Sequence, residues 1–450
     1  MRAAEWFLKH RGLLGVMVFA LLLKIVLVTM GREVNPDGAL YIASAQQFAQ
    51  GNFSEGIALY RMPVFPLLIA GVHWVVPDWI AAARLITIAS MVLASVPLYK
   101  TTELLFDRRA ALWAILFLAV APEANENALR VLRDPTFLLM TLTAVFCVVK
   151  GLQSIRLRWI AAGFGFGCLA LLFRVEGVVI LAVAPVFFVA LALRSKNAAR
   201  RPLAWKGAAI WIGIPLGLGL VTALVAGPDM LAKNRIHEVM REVRSLTGLS
   251  AFENYQRIYS FFQQIQSEPP FSGFSHSLPA TVRHWMPLVY LIGLVESLVK
   301  QLNPLLLLPL FFAWKNRHGG YATVRPEKVF VLVIFAAYML MLFYFLVTRD
   351  KMVGRLLFTP AIFLYPWIGH GFGQALDALG RFKLSRSLKI AAVMIFLIVP
   401  CARSAANVYD SDRSALTVGN IVSQDPNLNN AAVLFSETTH ALYADRMADF

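Results

Sequence analysis

Residues 13–30 read LLGVMVFALLLKIVLVTM, and residues 35–41, a few positions further on, read NPDGALY. A helix needs about 20 mostly apolar residues to cross the hydrocarbon core of a bilayer, and the first stretch provides such a run. It has no small-residue cleavage site after a short apolar core, so it predicts a retained spanning helix rather than a removed signal peptide. The second stretch is an acidic turn before an amphipathic segment. Its position directly after a spanning helix makes Asp37 a candidate for catalysis.

Similar apolar runs recur along the 450 residues, of which 58% are hydrophobic, and the mean hydropathy is +0.63. These values are typical of an all-α polytopic membrane protein. The runs predict about 11 transmembrane helices. Their expected bounds are 12–30, 81–99, 110–122, 135–149, 159–173, 177–193, 207–226, 286–312, 329–348, 356–374 and 390–402.

The chain carries 42 basic and 26 acidic residues, a formal net charge of +16. The basic residues fall in short loops between apolar runs rather than along one face, which argues against a nucleic acid partner. By the positive-inside rule these loops are cytoplasmic. The outer side then holds residues 31–80, 123–134, 174–176, 227–285, 349–355 and the tail from 403. We therefore expect one transmembrane domain over residues 1–402 and a short outer C-terminal segment over 403–450.

Three outer regions have distinct local patterns. The apolar stretch 65–76 is short and bracketed by prolines, so it predicts a helix lying in the membrane interface instead of another span. Residues 229–270 mix charged and apolar side chains in a way that indicates an amphipathic external helix. In the tail, residues 431–435 (AAVLF) fit a single strand.

Asp37 follows Asn35 and Pro36 and precedes a predicted helix over residues 39–50. Aspartate is common as a helix N-cap, so a purely structural role is one interpretation of this residue. The other is a carboxylate at the outer membrane boundary that accepts a proton from a substrate. Arg61, in the same outer loop, is a candidate for substrate binding.

Glu126, Arg130, Arg133 and Asp134 crowd the outer boundary just before the next span. If residues 123–134 are helical, the i, i+3 and i+4 spacing places these four side chains on one side. They then form either an intrahelical ion-pair ladder or part of a substrate route, because ionisable residues at a membrane boundary often mark such routes. All four are candidates for substrate binding.

Two further charged groups lie at outer helix junctions. Arg174 and Glu176 separate two long apolar runs; a structural salt bridge is the expected arrangement, and substrate binding is the alternative. Arg349, Lys351 and Arg355 place three cations on the outer side, against the positive-inside trend. Because such cations bind phosphate groups, these three favour a phosphate-binding role. No histidine or cysteine spacing indicates a metal site.

In their order and sidedness these motifs resemble the GT-C glycosyltransferases, polytopic enzymes that use polyprenyl-phosphate-linked sugars. The resemblance covers most of the chain and rests on PDGALY at 36–41, MPVFP at 62–66, LRDP at 132–135, FRVEG at 173–177 and GRL at 354–356. The protein O-mannosyltransferase and lipid A aminoarabinose transferase branches are the most similar in appearance. The resemblance implies that Asp37 is the catalytic carboxylate, that its loop forms two interfacial helices, and that residues 349–355 lie near the lipid phosphate.

The expected activity is transfer of a sugar from a polyprenyl-phosphate donor to a hydroxyl of a glycan, lipid or protein acceptor, with inversion at the anomeric carbon and Asp37 as general base. Membrane lipids are further expected partners. The expected location is the plasma membrane (the bacterial inner membrane), with the site on its outer, periplasmic side. A divalent metal ion is compatible with the resemblance, but no ligand motif supports one. The alternative class is a secondary transporter of a lipid-linked or anionic substrate, which would place more polar residues near the midplane.

Overall fold

The structure is a computed structural model that describes residues 2–30, 34–233, 252–272, 277–315, 325–349, 354–381 and 386–409. Within these ranges the regular structure is helical, without strands. The strand predicted at residues 431–435, much of the external helix predicted at 229–270, and the phosphate-binding candidate Lys351 lie outside the described residues.

The described helices follow one another with short connections. In chain order they are α1 (Arg2–Thr29), α2 (Pro36–Ala49), α3 (Phe53–Leu59), α4 (Val64–His73), α5 (Trp79–Leu105), α6 (Arg108–Val120), α7 (Pro122–Leu129), α8 (Asp134–Ser154), α9 (Leu157–Phe173), α10 (Val178–Arg194), α11 (Arg200–Lys233), α12 (Glu253–Ser267), α13 (Leu278–Leu302), α14 (Leu307–Lys315), α15 (Pro326–Arg349), α16 (Gly354–Ile362), α17 (Tyr365–Arg381) and α18 (Arg386–Tyr409). Short 3₁₀ turns at Val175–Gly177 and Pro304–Leu306 precede α10 and α14.

Seven stretches of the described residues are long and apolar enough to cross a membrane. They are His10–Thr29, Trp79–Leu105, Asp134–Ser154, Val175–Arg194, Leu278–Leu302, Pro326–Arg349 and Ser387–Val408. The chain is therefore an integral membrane protein, and the prediction of an all-α polytopic fold is confirmed. Other predicted spans correspond to shorter helices, such as α6 with 13 residues and α9 with 17. Helix α18 continues past residue 402, where the transmembrane domain was expected to end.

Two predicted single spans are wrong, because each is two helices. The span expected over 286–312 stops at Leu302, and Asn303 takes a left-handed φ of 64° before Pro304. Proline disfavours the helical conformation in the residue before it and has no N–H to continue the ladder. The span expected over 356–374 breaks between α16 and α17. Pro366 accounts for this break, because its ring would collide with the carbonyl four residues earlier, at the last residue of α16.

The loop between α1 and α5, which is expected on the outer side of the membrane, contains the three short helices α2, α3 and α4 rather than the two implied by the resemblance. Helix α4 occupies the apolar stretch that was expected to form an interfacial helix, and it has only 10 residues. At a rise of 1.5 Å per residue such a helix is about 15 Å long, half of what a bilayer core requires. Helix α2 packs against both α3 and α4, so the loop is a folded layer.

The chain divides into two compact units. The first comprises Met1–Leu181, Leu305–Glu327 and Leu364–Phe450. In it, α8 packs against α9 and α5, and α17 packs against α6 and α14. Helix α1 contacts α5, α6 and α7. Leu27 of α1, Leu129 of α7 and Val408 of α18 form one apolar cluster, which anchors the short α7 between two long helices.

The second unit comprises Ala182–Pro304 and Lys328–Phe363. Phe187 of α10 contacts Phe330 of α15, with ring centroids 5.1 Å apart. Leu294 of α13, Leu342 of α15 and Leu357 of α16 form a buried cluster. The amphipathic helix α12 packs along α13. This unit carries the described phosphate-binding candidates Arg349 and Arg355.

Candidate active site

Helix α7 is held in place by hydrogen bonds at its C-terminal end. The last carbonyls of a helix have no partner within it and need donors from elsewhere. Here the carbonyl oxygen of Ala128 accepts from Thr87 Oγ1 at 2.6 Å, and that of Leu129 accepts from Arg84 Nε at 3.3 Å. The carbonyl oxygen of Arg130 accepts from Asn35 N at 3.0 Å. The first two donors belong to α5 and the third to the loop before α2. The start of the first outer loop is therefore tied directly to the end of α7.

A buried polar chain supports the middle of α7. Lys24 of α1 is 1% exposed, and its Nζ donates to Asn125 Oδ1 at 2.8 Å. The Asn125 amide donates in turn to Ser404 Oγ of α18 at 3.1 Å. Buried polar groups are costly unless they are paired, so these bonds favour one position of α7 between α1 and α18.

Asp37 lies in the first turn of α2, where Asn35 and not Asp37 is the N-cap. The side-chain oxygen of Asn35 accepts from the backbone N of Asp37 at 2.9 Å, and Pro36 supplies the first helical residue. The structural interpretation of Asp37 as the helix cap is therefore wrong. Its carboxylate is half-buried, on a helix whose first turn is fixed by a cap and, through Asn35, by α7.

Gly38 permits the close approach of α2 to the chain after α7. A Cβ at Gly38 would lie 2.8 Å from the Val131 carbonyl oxygen, so any larger residue forces a shift. Val131 itself is fully buried and has a φ of 57°, which is rare for a β-branched residue. Such conformations cost about 1–3 kcal/mol and persist where the surroundings hold them. The contact between Gly38 and Val131 therefore defines the position of Asp37.

Residues 123–134 are not one helix, so the condition for placing all four charged side chains on one helix face is not met. Helix α7 ends at Leu129, and α8 starts at Asp134. Pro135 in the first turn of α8 explains the break, because its ring would collide with the carbonyl four residues earlier. Glu126 and Arg130 still form the predicted i, i+4 ion pair, at 2.7 Å.

Arg174 is the centre of a buried group of charges. Its guanidinium donates from Nη2 and Nε to Glu176, at 2.6 and 3.1 Å, and from Nη1 to Asp134 Oδ1 at 2.8 Å. The Arg174 side chain is 7% exposed, and both carboxylate side chains are 11% exposed. Burial opposes its charge, but the two carboxylates outweigh that and raise the pKa of Arg174. The salt bridge predicted between Arg174 and Glu176 is present, and Asp134 joins it from α8.

Arg133 lies beside this group, and no ion pair is formed by it within the part of the chain that the structure describes. Its Nη1 donates to the Met62 sulfur at 2.8 Å, and the guanidinium carbon lies 5.5 Å from the ring centroid of Tyr60. Its Nε is buried without a hydrogen-bond partner among the described residues. Arg133 therefore presents a cation held by a thioether and an aromatic face. Arg61, one residue before Met62, is exposed.

Tyr41 and Tyr60 are site residues that were not identified from the sequence. Their ring centroids are 4.7 Å apart in an edge-to-face arrangement. Burial raises the pKa of both hydroxyls, although the nearby charge of Arg133 opposes this, so both stay protonated. Asp37 also acts electrostatically on each. The spacing of four residues between Asp37 and Tyr41, which places both on one face of α2, could have revealed Tyr41.

The described phosphate-binding candidates are in the second unit. Arg349 ends α15, is exposed, and has its guanidinium carbon 5.4 Å from the Phe345 ring centroid. Arg355, half-buried, is in the first turn of α16. Across the described ranges, no group of three or more histidine, cysteine, aspartate and glutamate side chains could hold a metal ion. The carboxylates around Arg174 are bound to a guanidinium instead.

The described residues form a helical, membrane-spanning fold that holds a buried group of charges around Arg174. The family model of dolichyl-phosphate-mannose-protein mannosyltransferases matches residues 61–216, less than half of the chain. The matched range includes Arg133, Asp134, Arg174 and Glu176 but not Asp37. A comparison with curated proteins finds no match.

Solved structures give two similar proteins. The oligosaccharyltransferase of Archaeoglobus fulgidus, in complex with Zn and sulfate, is 14% identical with a TM-score of 0.57, over 92% of this chain and 56% of the other. This chain thus spans a little over half of the archaeal protein. ArnT from Cupriavidus metallidurans bound to undecaprenyl phosphate is 14% identical with a TM-score of 0.52, over 97% of this chain and 85% of the other. These likenesses show that this chain shares the fold of both proteins.

Proposed function

We propose that this chain is an inverting glycosyltransferase that moves a sugar from a polyprenyl-phosphate donor to a hydroxyl at the outer face of the plasma membrane. The observation that carries the proposal is that Asp37 lies on the turn of α2 that packs through Gly38 against Val131, two residues before Arg133, and that both charges act electrostatically on the Tyr41 hydroxyl. A carboxylate can accept a proton, and a guanidinium without an ion-pair partner in the described structure can receive an anionic group. Glycosyl transfer from a phosphate requires one group of each kind.

A single displacement uses these groups as follows. The acceptor hydroxyl attacks the anomeric carbon, a new C–O bond forms, and the bond between that carbon and the phosphate oxygen breaks. Asp37 takes the hydroxyl proton, and the bonding electrons leave with the polyprenyl phosphate. Attack opposite the leaving group inverts the anomeric centre. Proton transfer to a positioned carboxylate typically contributes about 10²–10⁴-fold to the rate.

The cations would stabilise the leaving phosphate. Arg133, Arg349, Lys351 and Arg355 are the candidates, because guanidinium and ammonium groups bind phosphate oxygens through charge-assisted hydrogen bonds. Two structural neighbours support this donor class, since their structures contain lipid phosphates: dolichol-phosphate in the archaeal oligosaccharyltransferase and undecaprenyl phosphate in ArnT. The donor tail would then lie among the apolar helices.

The remaining charged residues would shape the acceptor side. Asp134 Oδ2 is buried and has no hydrogen-bond partner within the described residues, so it suits a donor group of the substrate. Arg174 and Glu176 hold Asp134 in place. Glu126, Arg130 and the exposed Arg61 are further substrate contacts. A glycan, a lipid or a protein can present the required hydroxyl.

Mass spectrometry of envelope glycans and lipids tests this function in cells. Three strains are compared: one with the chain, one without it, and one with Asp37→Asn at matched abundance. We expect the same sugar to disappear in the deletion and in the variant, and its mass identifies the donated group.

Glu55→Gln is the matched control for the charge change. Glu55 is an exposed carboxylate on α3 of the same outer loop. This variant should retain the sugar. An Asp37→Asn strain with the full wild-type glycan profile would show that Asp37 is not the base.

A further inference from the structure

A second charged site lies at the far end of α1 from Asp37. Helix α1 packs against α7 near Leu27, shortly before the Asp37 loop. Arg11 is 18 positions before Thr29, and at 1.5 Å per residue this is roughly 27 Å along the helix axis. The distance is close to the thickness of the hydrocarbon core, about 30 Å. The two sites of this unit are therefore separated by about one bilayer core.

A cavity of about 510 Å³ opens at this end, between α1 and α6, lined by Arg11, Gly12, Arg108 and Leu112. Gly12 allows the two helices to come together, because a Cβ there would lie 2.9 Å from the Leu112 side chain. The lining therefore combines two guanidinium groups with the apolar side chain of Leu112. This combination suits a ligand with an anionic head and an apolar tail.

Two arginine side chains, those of Arg11 and Arg108, line the cavity. Arg11 forms no ion pair within the described residues, whereas Arg109 is paired with Asp377 at 2.7 Å. Asp107 is occupied as the N-cap of α6, where it accepts from Ala110 N at 2.8 Å. An anion bound here would meet two guanidinium groups and the N-terminal end of α6, whose dipole also favours negative charge.

The surface of α1 above Arg11 provides an apolar track. Gly15, Val18, Leu22 and Val26 follow Arg11 at spacings of four, three, four and four, so all five share one helix face. Val18 is 55% exposed and Leu22 is 56% exposed. A Cβ at Gly15 would have no neighbour within 4 Å, so this position is open. An acyl chain could lie along this face with its head group at Arg11.

We propose that Arg11 and Arg108 bind an anionic phospholipid, with the phosphate between the two guanidinium groups and one acyl chain along α1. Basic pockets between transmembrane helices bind the head groups of anionic bilayer lipids in this way. This site is independent of sugar transfer, because it lies at the other end of α1 from Asp37. The positive-inside rule places it in the cytoplasmic leaflet.

The test is native mass spectrometry of the purified protein in detergent. Either phosphatidylglycerol or phosphatidylcholine of the same chain length is added to the protein. We expect one phosphatidylglycerol to be retained with roughly tenfold preference over phosphatidylcholine, the difference that charge-assisted contacts supply. Arg11→Gln with Arg108→Gln should abolish the preference. Arg156→Gln with Arg158→Gln is the control, since it removes two exposed arginines at the start of α9 and should retain the preference.

Two further experiments distinguish binding of the head group from binding of the acyl chain. Inorganic phosphate added at the lipid concentration should not displace the lipid. Gly15→Leu, which fills the open position on α1 and leaves both arginines intact, should weaken retention of phosphatidylglycerol. The proposal is overturned if the double Arg11 and Arg108 variant keeps the wild-type preference, if the control pair loses it equally, or if inorganic phosphate displaces the lipid.

Discussion

The two ends of the first unit use the same types of ion pair in different surroundings. At the Asp37 end, Arg174 binds Asp134 and Glu176 with all three side chains nearly buried. At the Arg11 end, Arg109 binds Asp377 at 2.7 Å, as short as the buried contacts, but these side chains are 51% and 58% exposed. The bond lengths are alike, and burial is what differs.

This difference shows which charges the fold depends on. Removing one partner from a buried pair leaves an uncompensated charge in a low-dielectric interior, whereas an exposed pair is replaced by water and salt. The Asp37 end therefore has a fixed electrostatic framework on which chemistry can be arranged. The Arg11 end has exposed charges suited to topology and to lipid head groups.

Arg174→Met should show the largest effect on stability. It leaves Asp134 and Glu176 buried without their cation, which costs about 3–5 kcal/mol of folding free energy. Thermal unfolding of the purified protein in detergent measures the change. A melting temperature equal to that of the wild type would show that the three charges are solvated and not a framework.

Gly38→Ala should have an intermediate effect. The new Cβ would lie 2.8 Å from the Val131 carbonyl oxygen, and such overpacking costs about 1–3 kcal/mol. Because the shift moves the first turn of α2, sugar transfer should fall as well. The matched control is Gly15→Ala at the Arg11 end, where a Cβ meets nothing within 4 Å. That variant should be neutral or slightly stabilising, since alanine is the better helix former; equal losses in both would mean that packing does not distinguish the two ends.

Arg109→Met should have the smallest effect. Its exposed pair with Asp377 contributes about 0.2–1 kcal/mol, and less at high salt. Unfolding measured beside Arg174→Met in the same detergent and buffer gives the comparison directly. If the two substitutions cost the same, burial has no part in the difference between the two ends.

Much of the fold could be predicted from the sequence, because spanning helices need long apolar runs that hydropathy reveals. The helix breaks at Asn303, between α16 and α17, and after Leu129 could not, although a proline follows each of them. A proline within an apolar run does not always end a helix, as Pro97 inside α5 shows. Packing decides between the two outcomes, and packing is not visible in the run itself.

The candidate site was predictable only where contacts are local. Glu126 and Arg130 are four residues apart, so their pairing could be expected from helix spacing. Arg174 and Glu176 lie close together in the chain at one helix junction. The bond from Asp134 to Arg174 crosses 40 positions and depends on how α8 meets the α9–α10 junction. Tyr60 reaches Tyr41 through the turn between α3 and α4, which the sequence does not specify.

The central claim is that Asp37 is the base for sugar transfer from a polyprenyl-phosphate donor. Its most direct test is the initial rate of polyprenyl phosphate release by purified wild-type, Asp37→Asn and Glu55→Gln proteins, supplied with the sugar donor and the acceptor identified by mass spectrometry. We expect Asp37→Asn to be slower by about 10²–10⁴-fold and Glu55→Gln to match the wild type. Release by Asp37→Asn at the wild-type rate would contradict the account.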